Sequence, residues 1–223
     1  MEKQKDITQG KTYILASKIS SYIVIELCFL LAILPIIISS FFIIPSISNL
    51  FIYLGVGILL SPAWVAMLAS ILNVQKKDYD HGFKNYWVRY RTNFLDSIKV
   101  SLPYCLIVGI FIIDMEYIQN THFDWILPLF VILGIVVTLL YFYTLILSAK
   151  FKFDLKSLIL LSVSTLLLDW KISLKLLSYI LLFVTFFLMI SPSFSFVLVI
   201  FFSLAIIKTF QPVYSKTEIK FTR

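Results

Sequence analysis

One carboxylate stands alone inside the first apolar stretch of the chain. Glu26 lies between Ile25 and Leu27, with no other charge from Ile19 to Ile44. Placed on a helix, it sits about 12 Å from Lys18. An acid at that depth of an apolar helix is costly and is often functional. It could relay a proton or cation, or touch a ligand in a cavity between helices. It could instead stay near the boundary, snorkel, or pair with a lysine such as Lys99 or Lys175.

A second stretch can recognise rather than react. Between Gln75 and Lys99, Phe83, Trp87, Tyr90 and Phe94 recur at spacings of four, three and four, with Tyr86 beside them. That spacing makes one helical face. Lys84, Arg89 and Arg91 flank it, and Asp80 is placed to cap the helix. An aromatic face beside basic residues suits the headgroup boundary of a bilayer. Phe83, Lys84, Trp87, Arg89, Tyr90, Arg91 and Phe94 are therefore candidates for docking a partner or anionic lipid, or for a helix that simply connects two spans.

Catalytic and metal-binding signatures do not appear. There is no HExxH, GxSxG, Walker loop or GxGxxG in the chain. His81 and His122 fall in connections of opposite sidedness, and Asp78 and Asp80 beside His81 read as solvated. Cys28 and Cys105 lie in apolar runs with no CxxC or Cys/His cluster. Neither an enzyme, nor a metal, nor a cofactor is expected.

The elements that must position these residues are membrane helices. The 223 residues are 60% hydrophobic and 14% charged, against roughly 25% charged in a soluble domain. Apolar runs of about 20 residues put the chain in the membrane class. Six spans are expected, at about 19–44, 50–72, 98–113, 125–149, 172–190 and 194–207. Residues 1–18 and 209–223 are then tails, and 19–208 is a single all-α membrane domain. Ser191-Pro192-Ser193 reads as a tight turn before the last span. The first apolar run is too long for a signal peptide and reads as an uncleaved span.

Charge orients the spans. The N-terminal tail, the second-to-third connection, the fourth-to-fifth connection and the C-terminal tail carry four, six, five and four Lys or Arg. These are all 19 basic residues, and the three opposite connections have none. The positive-inside rule puts both termini and both large connections in the cytoplasm. It also reads the net charge of +7 as topology rather than nucleic-acid binding.

Leu155–Leu168 is too short to fit as a span. Fourteen residues rise about 21 Å, against a hydrocarbon core of about 30 Å. It reads as an interfacial or re-entrant helix at the cytoplasmic face, and 81–96 as a second interfacial helix.

Pro62-Ala63, a charged turn, then Phe83, Trp87, Tyr90, Asn93 and Phe94 form a pattern that resembles the YesL-like family of bacterial membrane proteins, a domain of unknown function. Tyr141–Ser162, with its Lys-Phe-Lys-Phe-Asp turn, extends the resemblance, which covers about Ser61 to Tyr214. It implies a multi-pass protein of the bacterial cell membrane and an accessory or regulatory role in carbohydrate uptake or metabolism, with a sugar transporter or cytoplasmic regulator as partner. The alternative is a small transporter or substrate-binding membrane component of an uptake system.

Overall fold

The computed structural model describes residues 11–43, 46–76, 82–119, 124–189 and 198–221. Seven α-helices and no strand occur among them. They are α1 (Lys11–Phe42), α2 (Leu50–Gln75), α3 (Gly82–Gln119), α4 (Leu127–Ser148), α5 (Leu155–Leu168), α6 (Trp170–Met189) and α7 (Val199–Phe221). In α1, α2, α3, α4 and α6 the apolar stretch is long enough to cross a membrane. Helices are what such sequences must form, because each satisfies its own backbone within hydrocarbon.

The packing differs from that of a soluble protein: hydroxyls are buried within an apolar core, and the outside is apolar as well. Ser61, Ser70, Asn93, Ser97, Ser101, Thr144, Ser162 and Ser203 are buried, while leucines and isoleucines cover the outside. Lipid tails are as apolar as leucine, so nothing drives those side chains inward. Small residues and hydroxyls mediate close helix contact instead. Five apolar helices with this pattern identify a multi-pass membrane protein.

Proline is accommodated inside α1, α2, α3 and α7. Pro62 removes the N–H that would reach the carbonyl of Ile58. The Ser61 hydroxyl donates to that carbonyl at 2.7 Å and also meets Ser101 on α3 at 2.9 Å. One serine thus repairs the proline defect and joins two helices.

Three boundaries differ from the sequence reading. Residues 82–96 are not a separate surface helix, because α3 runs unbroken for 38 residues. That is about 57 Å of helix against a core of about 30 Å, so its polar first half projects beyond the apolar part. A change from polar to apolar composition near Ile98 breaks no backbone hydrogen bond, and Pro103 lies inside the helix. The C-terminal segment is also helical to Phe221. Phe210, Val213, Tyr214 and Thr217 are buried there, at helical spacing. At the other end, α1 begins at Lys11 rather than near Ile19. Asp80, His81, His122 and the turn at Ser191-Pro192-Ser193 lie outside the described residues.

α5 begins and ends at the same end of the bundle. Lys150, just before it, pairs with Glu218 at 2.9 Å, and Asp169, just after it, pairs with Lys216 at 2.6 Å. Both partners are on the last turns of α7. Lys150 also lies 4.6 Å from the Tyr214 ring centroid, and its charge holds the Glu218 carboxyl below its usual range. Asp154 stands at the N-cap of α5 in extended conformation. The Ser157 hydroxyl and N–H beside it hold that carboxyl low as well. Leu158, Ser162 and Thr165 of α5 face inward, and Ser162 meets Thr144 of α4 at 3.1 Å. Leu160, Leu167 and Leu168 are left exposed.

Candidate functional site

The core lies toward the end of the bundle where α2 and α4 finish and α3 and α6 begin. There, Tyr104 reaches Thr144 at 3.0 Å, and Tyr143 reaches Ser173 at 2.9 Å. Trp64 donates its indole N–H to Ser203 at 3.1 Å, and Ser203 contacts the Met67 sulfur at 3.5 Å. These bonds join α3 to α4, α4 to α6 and α2 to α7, and the last fixes the Trp64 ring at the wall of a cavity.

That cavity has a volume of about 370 Å³, within the roughly 300–1,000 Å³ of small-molecule pockets. It is walled by α1, α2, α4, α6 and α7. Seven of its fifteen lining residues are aromatic. Two edge-to-face pairs stiffen the wall: Trp64 with Phe142, and Phe183 with Phe202, each with centroids 5.2 Å apart. Aromatic pairs of this geometry resist reorientation. Ser61 and Thr138 are the aliphatic hydroxyls at the wall. No acid, lysine, arginine or histidine lines it among the described residues.

Glu26 lies one turn from this wall. Phe29, on the same buried side of α1, lines the cavity, and Val199, beside Ile200, lines it from α7. The side chain does not snorkel: Glu26 is 7% exposed. Neither Lys99 nor Lys175 pairs with it, contrary to one sequence reading. Both carboxylate oxygens lack a hydrogen-bond partner among the described residues. The Ile200 N–H, in the first turn of α7, approaches the carboxylate but falls short of hydrogen-bond geometry. The Tyr86 phenol is close enough to feel the charge, yet donates to the Ala63 carbonyl at 3.2 Å instead. Buried polar groups nearly always find a partner; Trp87 Nε1 and Ser97 Oγ also lack one, but Glu26 is the unpartnered group one turn from the cavity wall and is the candidate polar group of the site.

Residues 22–115 match a family model. Its description is "Protein of unknown function, DUF624". The chain is similar to DUF624 over less than half of its 223 residues. No curated protein matches the chain, and no solved structure does. The DUF624-like part starts well before Ser61 and stops short of α4. It contains Glu26, Phe29, Ser61, Trp64 and the aromatic run of α3. The remaining cavity walls, on α4, α6 and α7, lie outside it.

Within the DUF624-like part, the aromatic run forms a ladder along one side of α3. Centroids are 6.3 Å apart from Phe83 to Trp87, then 5.5 Å to Tyr90 and 5.5 Å to Phe94. The seven residues singled out from sequence do not share one free surface. Trp87 and Tyr90 pack against the core, whereas Phe83, Lys84 and Arg91 are exposed. Arg89 reaches across to the Asn73 side chain on α2. Tyr86, placed beside the face from sequence, is fully buried. Periodicity finds the stripe but cannot tell which edge of it meets α1 and α2. The cavity itself went unseen in the sequence, because its residues come from five helices and carry no shared motif.

Proposed function

We propose that this chain is a substrate-binding membrane component of an uptake system, holding a small molecule in the cavity between its helices. The observation that carries this reading is an aromatic cavity of about 370 Å³ with an unpartnered, buried acid at its margin. A purely structural bundle gains nothing from either feature. A thermal-unfolding screen of the purified chain against sugars, vitamins and organic cations tests it. At least one class should raise the melting temperature, and Thr138→Trp, which fills part of the cavity, should abolish the shift. If no class shifts the wild-type protein, the reading fails.

The proposal includes the topology. The chain has six spans, the last including the apolar part of α7, and both termini are cytoplasmic in a bacterial cell membrane. In support, the charge partition is complete. The ion pairs also bring the fourth-to-fifth connection and the C-terminal turns to one end of the bundle. α5 then lies at the cytoplasmic interface with its leucines toward lipid. In a background with Cys28 and Cys105 replaced by alanine, an impermeant maleimide should label Thr121→Cys on intact cells. Asp78→Cys should label only after permeabilisation. The reverse pattern would invert the topology.

The YesL-like resemblance supports a second reading, an accessory or regulatory subunit of carbohydrate uptake or metabolism. The exposed Phe83, Lys84, Arg91 and Leu95 on α3 favour it as a docking edge. Tagged protein in mild detergent should retain a sugar transporter or cytoplasmic regulator, and Phe83→Asp with Leu95→Asp should release it. Recovery of the chain alone would remove this reading.

A further inference from the structure

We propose that the cavity takes an amphiphilic cation, with its apolar or aromatic body against the rings and its cationic head toward Glu26. This rests on reading the cavity as a small-molecule site, and it names the ligand class.

Three features of the site point the same way. The wall is built from aromatic rings and aliphatic side chains. A polyol would leave most of its hydroxyls unpaired there, at a cost per group that Ser61 and Thr138 cannot offset. Ring faces, by contrast, attract ammonium and guanidinium groups, most strongly when water is excluded. The titratable group beside the cavity is an acid with no partner among the described residues. The ion pairs of Lys150 with Glu218 and Lys216 with Asp169 are both at the far turns of α7. Lys18, the basic residue nearest to Glu26 along α1, lies over the Tyr22 ring at 6.0 Å. An anionic ligand would therefore meet a carboxylate and no cation. A cationic head would supply the partner that Glu26 lacks.

The placement also fits a molecule with two ends. Glu26 and Phe29 are neighbours on the buried side of α1, and Val199 and Ile200 bring α7 to the same corner. The acid thus lies beside the wall at that corner, one turn from Phe29, without itself lining the cavity. Tyr179, Phe183 and Val184 of α6 line it from another helix.

Benzyltrimethylammonium and its uncharged carbon isostere, neopentylbenzene, separate charge from shape. In equilibrium dialysis with radiolabelled benzyltrimethylammonium and the full chain in an uncharged detergent, the wild-type protein should bind one cation per chain. Neopentylbenzene should compete at least about tenfold more weakly than the unlabelled cation. Glu26→Gln keeps the shape and should weaken cation binding at least about tenfold, while Glu26→Asp retains most of it. Thr138→Trp should block binding. Equal competition by the isostere, with no loss in Glu26→Gln, overturns the charge assignment and leaves the small-molecule site standing. Cation binding that survives Thr138→Trp overturns the placement. No cation binding by the wild-type protein overturns the inference, and the thermal screen then decides separately whether the cavity binds anything. Should Glu26→Gln fail to fold, loss of binding in a folded Glu26→Asp protein also overturns it.

Discussion

Tyr86→Ala is expected to destabilise the protein by about 3–5 kcal/mol, the range for emptying a fully buried aromatic site. The ring is 0% exposed. It meets Trp87 edge-on with centroids 5.5 Å apart and stacks on Tyr90 at 6.3 Å. Its phenol closes the α2–α3 contact through the Ala63 carbonyl. Close by, a side chain in place of Gly82 would meet the Ser21 carbonyl at 3.5 Å. The start of α3 is therefore held against α1 as well. Tyr86→Phe keeps the ring and loses one buried hydrogen bond, so it should cost only about 1 kcal/mol. Unfolding in mixed micelles by increasing anionic detergent, followed by circular dichroism, measures both. If the alanine variant is no less stable than the phenylalanine one, the anchoring of α3 has been misassigned.

Glu26→Met should move stability the other way. An unpartnered buried polar group costs about 1–3 kcal/mol, and an apolar side chain of similar shape in its place removes that cost. We therefore expect the variant to gain about 1–3 kcal/mol in the same assay while losing the cation binding proposed above. A residue that costs stability and confers recognition is the signature of a functional site. A loss of stability in Glu26→Met would instead give the carboxylate a structural task, capping the first turn of α7 at Ile200.

Much of the architecture was legible in the residues themselves. Apolar runs of span length fixed the class, and the short run at Leu155–Leu168 stood out by length alone. It is a helix of those bounds, entered and left at one end of the bundle. Helix continuity was harder to read. The junction near Ile98 marks a change of solvent, not of backbone conformation, so α3 extends through it. The tail after Lys208 looked polar because its buried residues are spaced three and four apart among charges. Glu26 was conspicuous as a lone acid, but its isolation was not. Lys99 and Lys175 stand at the starts of later apolar runs, at the same expected membrane boundary, and only three-dimensional packing separates them from it. The cavity was wholly illegible, since Phe29, Trp64, Tyr141, Phe183 and Phe202 come together from distant segments.

The claim that the cavity is a binding site is tested most directly by finding where a bound probe lies. The wild-type chain would be photolabelled with a diazirine-bearing benzylammonium, digested, and its adducts sequenced by mass spectrometry. The account predicts adducts on Phe29, Trp64, Tyr141 or Phe183, competed away by benzyltrimethylammonium and absent in Thr138→Trp. Adducts confined to outward-facing residues such as Leu133 and Leu188, insensitive to competitor, would contradict it.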